Sequence, residues 1–314
     1  MKPIQTVHIV GMGALGLLYG DIIQRHLGAE TVAFVMDPVR CKKYADKPYF
    51  VNGKETTFRK ISCTEAAPCD LLIVAVKDTG LQEALDVMAS SVGPDTVIVS
   101  VMNGISSEKI IGGRFGMERM IHTVAQGMDA MHFDGRLEYS KPGYLCMGVL
   151  SPAKEEILDR VCAFFDVAGM AYQREENILR RMWGKYMLNV GINQSCMVYG
   201  VTYGGALEEG SPALMTVTAA MREVILVANA EGVDLGEEDL KQYLHLMTTL
   251  AADNMPSMAQ DRVNKKPSEV DMFAGTVLQL AAKHGIPAPA NAFLQRRVRE
   301  IEAESEITQQ KSTP

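Results

Sequence analysis

Lys185, Asn189 and Asn193 stand at i, i+4 and i+8, so a helix through them carries one cation and two amides in a single stripe. An ammonium can donate a proton to a developing oxyanion, and amides can bind a carboxylate or a ribose hydroxyl. The same segment holds Met187, Leu188, Val190, Ile192 and Met197 at its other positions. A solvated face usually takes Glu, Lys, Arg or Gln. Two Asn residues, poor helix formers, point instead to hydrogen bonding with a ligand. A second constellation opens the chain: Gly11, Gly13 and Gly16 have G-x-G-x-x-G spacing directly after the β-favouring run Val7–Val10. Gly11 permits a tight turn, Gly13 lets backbone N–H groups approach a pyrophosphate, and Gly16 allows close helix–strand packing. The motif from Gly11 through Met12, Gly13, Ala14 and Leu15 to Gly16 is thus expected to cradle a dinucleotide at a helix N-terminus. Lys77 and Asn103-Gly104 each follow an apolar run, at strand ends where open α/β sheets bind ligands.

These residues need rigid elements. Val7–Val10, Thr31–Met36, Cys69–Val76 and Thr96–Val101 read as strands, nearly continuous in apolar residues, and they alternate with helical segments such as Leu81–Ala89. That pattern describes a parallel sheet covered on both faces. Between Met120 and Leu150 short strands with turns at Asp134-Gly135 and Pro142-Gly143 suggest antiparallel additions at the sheet's end. A helix Lys154–Ala168 and a strand Ala171–Gln173 would complete the domain. From Glu176 onward only helical patterns follow: Asn177–Val198, Leu214–Ala230, Glu237–Leu250, Ser268–His284 and Asn291–Ala303, with Gly285-Ile-Pro-Ala-Pro289 as a stop and restart. The chain thus divides into an α/β domain over residues 1–175 and an all-α domain over 176–314, with a polar tail from Glu304 expected to fray. Ser268 reads as an N-cap, with Glu269 and Asp271 favourably placed in the first turn.

Composition narrows the function. A chain of 314 residues, 47% hydrophobic and 22% charged, can bury sizeable cores and is long enough for two domains. Its net charge of -7 leaves no basic footprint for nucleic acid or anionic lipid. Six cysteines without a C-x-x-C pair read as buried reduced thiols, and the six His form no metal-ligand cluster. There is no signal-peptide pattern, and no apolar run is expected to reach membrane-spanning length, even the long apolar helix near Leu214–Ala230 being broken by Arg222 and Glu223. A cytoplasmic enzyme with a small-molecule substrate is the expectation, and a homodimer is compatible with it.

Taken in order, these residues resemble the ketopantoate reductases, or 2-dehydropantoate 2-reductases. The resemblance runs through G-x-G-A-L-G at Gly11–Gly16, Val76-Lys77, Asn103-Gly104 and W-x-K-x-x-x-N-x-x-x-N from Trp183 to Asn193. It continues in S-M-x-Q-D at Ser257–Asp261, S-E-V-D at Ser268–Asp271, near the family's T-E-I-D, and G-I-P-x-P from Gly285. It implies an N-terminal Rossmann domain, a C-terminal helical domain like that of 6-phosphogluconate dehydrogenase, and a site between them. It further implies NAD(P)H-dependent reduction of ketopantoate to D-pantoate, in pantothenate biosynthesis. Lys185 would be the general acid and Glu269 the catalytic carboxylate; Asn103, Asn189, Asn193 and Ser257 would also contact substrate; Lys77 and Asn103 would lie at the nicotinamide end. Three positions depart from the family pattern. Lys265-Lys266 replaces Gly-Arg, Tyr203 stands where a further substrate-binding Asn is expected, and Asp37 ends the second strand where many NADPH-using members have Arg. Asp37 suits the ribose hydroxyl of NAD(H), while Arg40, Lys42 and Lys43 can compensate, and NADP(H) is kept slightly ahead. Two alternatives stay open: a paralogous reductase of another branched 2-keto or hydroxy acid, and a non-catalytic dinucleotide-binding redox sensor. Cofactor binding alone needs neither Lys185 nor Glu269, so their presence argues against the sensor.

Overall fold

A computed structural model of the chain describes residues 2–312. It falls into two units, Met1–Arg181 and Met182–Pro314. The first unit opens with β1 (Val7–Val10), α1 (Ala14–Leu27), β2 (Val32–Met36), α2 (Pro38–Tyr44), β3 (Phe50–Val51), β4 (Lys54–Glu55) and β5 (Lys60–Ser62). It continues with β6 (Leu71–Val74), α3 (Leu81–Met88), β7 (Val97–Ser100), α4 (Ser107–Phe115) and β8 (Met120–Met128). It closes with β9 (Met131–Phe133), β10 (Arg136–Glu138), β11 (Pro142–Gly148), α5 (Glu155–Ala168) and β12 (Tyr172–Arg174).

Six strands, in spatial order β5-β2-β1-β6-β7-β8, run parallel, which is the doubly wound arrangement with its reversal of strand order between β1 and β6. The apolar runs are buried on both faces, and period-2 alternation divides them. Ile9, Ile73 and Val99 join Leu17, Leu18, Val161 and Phe165 of α1 and α5. Val10, Leu72, Val74 and Ile98 join Leu81, Leu85, Met88 and Ile111 of α3 and α4. The expected additions after Met120 divide three ways. β8 is itself the sixth parallel strand, β11 pairs antiparallel with it, and β12 pairs parallel with β11. β9 and β10 leave for a separate four-stranded sheet, β4-β3-β10-β9, in which β3 and β4 form a hairpin. Asn52 at the hairpin turn has φ +48, and its Oδ1 accepts from Tyr139 N beyond β10.

The helix α6 (Ile178–Tyr199) contains the boundary and enters the second unit, followed by α7 (Tyr203–Ala206), α8 (Pro212–Ala230), α9 (Glu237–Thr248) and α10 (Ser257–Val263). A π-helical turn, Asp271–Gly275, leads into α11 (Thr276–His284), and α12 (Pro289–Ser312) ends the described chain. The stop and restart works as expected: Ile286 N returns to Ala281 O, and Pro289 opens α12.

Four expectations need correction. Ser268 does not cap a helix; its hydroxyl accepts from Val270 N at 3.4 Å, and the helical run begins with the π turn three residues later. The tail is helical from Glu304 through Ser312, in keeping with its helix-favouring Glu and Gln content; Thr313 and Pro314 lie outside the described residues. α8 is, by length and composition, long and apolar enough to cross a membrane, because Arg222 and Glu223 are the only charges in its 19 residues. Here one face of it is buried in the helical unit: Glu223, 7% exposed, accepts from Ala290 N, Asn291 N and Asn291 Nδ2 at 2.7, 2.9 and 2.7 Å, stitching α8 to the start of α12. Finally, four cysteines are buried, but Cys41 and Cys63 are only partly so.

Candidate active site

In the first unit, the candidate residues stand at the carboxyl ends of β2, β1, β6 and β7. Their parallel register places Asp37, Gly11, Lys77 and Asn103, each within three residues of a strand end, along one edge of the sheet. At the β1–β6 reversal Gly11 adopts φ +111, and a Cβ there would overlap the Ala75 carbonyl; one on Gly16 would overlap the Gly11 carbonyl. Gly13 differs. The nearest heavy atom to a Cβ built on it is Ala75 O at 3.9 Å, so the fold itself does not demand this glycine. It caps α1 without a side-chain bond, no acidic residue lies in the first turn, and Met12, Ala14 and Leu15 beside it are half-buried. A bare, positively polarised helix start with room for a methyl at Gly13 fits a diphosphate.

Asp37 is half-buried and caps α2. Its Oδ1 accepts from Arg40 N at 2.8 Å, and Oδ2 lies 3.5 Å from Arg40 Nε. Arg40 also reaches Glu83 Oε2 on α3 at 3.3 Å, so the cation offered as compensation for a 2′-phosphate stands between two carboxylates. Lys77 is exposed and Asn103 half-buried. The turn bearing Asn103-Gly104 is braced from beneath: Ser100 and Ser107 hydroxyls meet at 2.8 Å, and Ser107 Oγ donates to Glu108 Oε2 at 2.9 Å. Complete burial pushes the Glu108 carboxyl up to about 7. Sequence reasoning missed this brace, because Ser106-Ser107-Glu108 reads as an ordinary helix start and burial comes from tertiary packing.

The other candidate residues belong to the helical unit. From Met182 to Met197, Lys185 and Asn189 alone escape burial, and Asn193 is 6% exposed. The polar stripe is therefore a narrow opening on a buried helix and not a solvated face. Two further segments attach to α6. α10, with Ser257 exposed in its first turn, is tied to the carboxyl end of α6 by Arg262, which donates to Met197 O and to Val198 O. The turn after half-buried Glu269 lies against α6, where Tyr186 Oη donates to Phe273 O at 2.7 Å and Gln194 Oε1 accepts from Ala274 N at 3.2 Å. Lys265 holds φ +53, a left-handed conformation that favours glycine over lysine. Tyr203 opens α7, half-buried, and burial pushes its phenol up to about 12.

Residues 7–151 match the family Ketopantoate reductase PanE/ApbA, and residues 177–302 match Ketopantoate reductase PanE/ApbA C terminal. The 2-dehydropantoate 2-reductase of Streptococcus pyogenes serotype M3 is 28% identical over 304 residues, covering 95% of this chain and 98% of that protein. That of Pyrococcus abyssi is 25% identical over 301 residues, with 95% and 98% covered. The crystal structure of 2-dehydropantoate 2-reductase from Geobacter metallireducens superimposes with a TM-score of 0.81 at 25% identity, covering 94% of this chain and 99% of that one. A D-mandelate dehydrogenase solved with NADH and anilino(oxo)acetate shares the fold at a TM-score of 0.84 and 22% identity, covering 96% of this chain and 99% of that one.

Proposed function

The chain belongs to the ketopantoate reductase family and is an oxidoreductase of the 2-dehydropantoate 2-reductase type, and from that premise we infer that it reduces 2-dehydropantoate to D-pantoate with NADPH or NADH. The observation that carries this reading is the lysine–amide stripe of α6, open only at Lys185 and Asn189 on an otherwise buried stretch. Gly11, Met12, Gly13, Ala14, Leu15 and Gly16 hold the dinucleotide diphosphate, Asp37 lies by the adenosine ribose, and Lys77 and Asn103 lie at the nicotinamide end. A nicotinamide held by these residues would supply a hydride to the C2 carbonyl carbon.

Lys185 then meets the charge that develops on the carbonyl oxygen. Its ammonium stabilises the alkoxide and donates the proton that completes the hydroxyl. Asn189 and Asn193 hold the substrate by amide hydrogen bonds, with Asn103 and Ser257 as further contacts. The Glu269 carboxylate orients the ammonium, and its charge favours the protonated lysine. Both cofactors are used, with NADPH somewhat ahead on family grounds and its lead kept small because Arg40 shares its charge between Asp37 and Glu83.

One observation favours a second reading. Tyr203 places a half-buried phenol where the family has an amide, which suits another branched 2-keto acid. Steady-state NAD(P)H oxidation against a panel of 2-keto acids separates the two. Lys185→Ala should lower kcat by at least ~10²-fold with cofactor affinity nearly unchanged. Wild-type turnover in a folded Lys185→Ala variant would remove the central claim.

A further inference from the structure

The segment that presents Glu269 is gripped from two helices by polar groups that the reaction itself does not use. On one side stands α6. Tyr186 and Gln194, 1% and 0% exposed, each follow by one residue an end of the Lys185–Asn193 stripe. Tyr186 Oη donates to Phe273 O and, at 3.2 Å, to Met272 O; Gln194 accepts from Ala274 N while its own Nε2 donates to Val190 O at 2.7 Å. On the other side stands α12. Glu302 Oε1 accepts from Ser268 N at 2.7 Å, and Asp271 Oδ1 accepts from Arg299 Nη2 at 2.7 Å and from Gln295 Nε2 at 3.3 Å.

Between these anchors the backbone makes a π turn, with Gly275 N bonded to Val270 O at 3.1 Å. The extra residue matters geometrically. Each helical residue turns about 100°, so inserting one rotates everything before it by that angle relative to α11. An uninterrupted α-helix would present Glu269 in a different direction. Buried amide and phenol groups are a costly way to hold two helices together if only stability is needed, since apolar side chains of equal size serve as well; what they add is a defined register.

We propose that Gln194 and Tyr186, with Arg299 on the opposite side, are positioning residues that hold the π turn Asp271–Gly275 in the register from which Glu269 is presented to the reaction. The proposal rests on the reading of Glu269 as the catalytic carboxylate. A carboxylate that orients an ammonium must be held to within a fraction of an ångström, and a displacement of about 1 Å can cost ~10²-fold in rate.

The test is a double-mutant cycle in NADPH oxidation, using whichever 2-keto acid of the panel the wild type turns over fastest. Gln194→Leu is expected to lower kcat roughly 10-fold with little change in the KM for NADPH, and to cause no further loss when Glu269→Gln is already present. Its effect on thermal stability, in contrast, should be the same in both backgrounds. Arg299→Gln, at an exposed position, runs the same cycle without disturbing the core and decides the matter where Gln194→Leu does not fold. Equal fractional loss of kcat in both backgrounds, or no loss in either, would overturn the positioning role and leave the anchors as packing. Full turnover in Glu269→Gln alone overturns the reading of Glu269, and the proposal with it, and is distinguished by that single variant.

Discussion

Gly13→Ala separates a glycine kept for a ligand from one kept for the fold. Gly13 has φ -81 and ψ -170, a conformation alanine adopts freely, and its new Cβ would come no closer than 3.9 Å to another part of the protein. Lower unfolded-state entropy favours the variant by about 0.4–1 kcal/mol, and the poorer N-cap preference of alanine offsets this, so stability should stay within about 1 kcal/mol of wild type. Binding should not. A methyl at the bare start of α1 keeps the diphosphate from the backbone N–H groups, and losing one hydrogen bond to a charged group is worth about 1.5–3 kcal/mol, or about 10- to 150-fold in Kd. Gly11→Ala is the contrast: its φ of +111 and the overlap with the Ala75 carbonyl should destabilise the fold by about 3 kcal/mol or more. Urea denaturation and calorimetric titration with NADPH and NADH measure both quantities. Unchanged cofactor affinity in Gly13→Ala, or destabilisation equal to that of Gly11→Ala, would refute the assignment of Gly13 to the ligand.

The remaining predictions concern charge. Asp37→Arg should shift kcat/KM toward NADPH, with Asp37→Asn as the variant that keeps the α2 cap; unchanged preference in both would show that Asp37 does not face the ribose. Burial raises the Glu108 carboxyl from 4.5 to about 7, so the folded state binds more protons than the unfolded one between those values, and stability falls as pH rises through that window. The loss amounts to roughly 3 kcal/mol, and Glu108→Gln should flatten it; denaturation curves from pH 4.5 to 8 that keep the wild-type slope would contradict this. Glu223→Ala removes the acceptor of half-buried Ala290 N and of buried Asn291 N, leaves Asn291 Nδ2 only its longer bond to Ala220 O, and should cost about 3 kcal/mol by calorimetric unfolding, a loss under about 1 kcal/mol counting against the stitch.

Sequence patterns revealed those parts of the molecule whose physics is local. The runs at β1, β6 and β7 were legible because strands buried on both faces must be apolar throughout, and the Asn residues of α6 stood out because a solvated helix would not choose them. The hairpin at Asn52-Gly53 carried a turn signal, but its two-residue strands end in exposed Lys54 and Glu55 and show no alternation. The π turn was illegible. Met272, Phe273, Ala274 and Val277 are all buried, so a helix slipped by one residue keeps an apolar face and leaves the period unbroken. Tyr186 and Gln194 were illegible because the backbone groups they hold in the π turn lie far off in the chain, 87 residues for Tyr186 with Phe273 and 80 for Gln194 with Ala274.

The small sheet β4-β3-β10-β9 has a consequence for how the first unit is assembled. Its hairpins can each close within a few residues, yet their union, with Asn52 Oδ1 holding Tyr139 N, joins positions 87 residues apart. Between them in the chain lie β5 through β8, most of the parallel sheet. Bringing β10 to β3 before those strands have ordered carries the entropy of closing a long loop, whereas afterwards the ends are already near. Loop-closure entropy therefore favours uniting the two hairpins only after the parallel strands have ordered, although each hairpin can close early by itself.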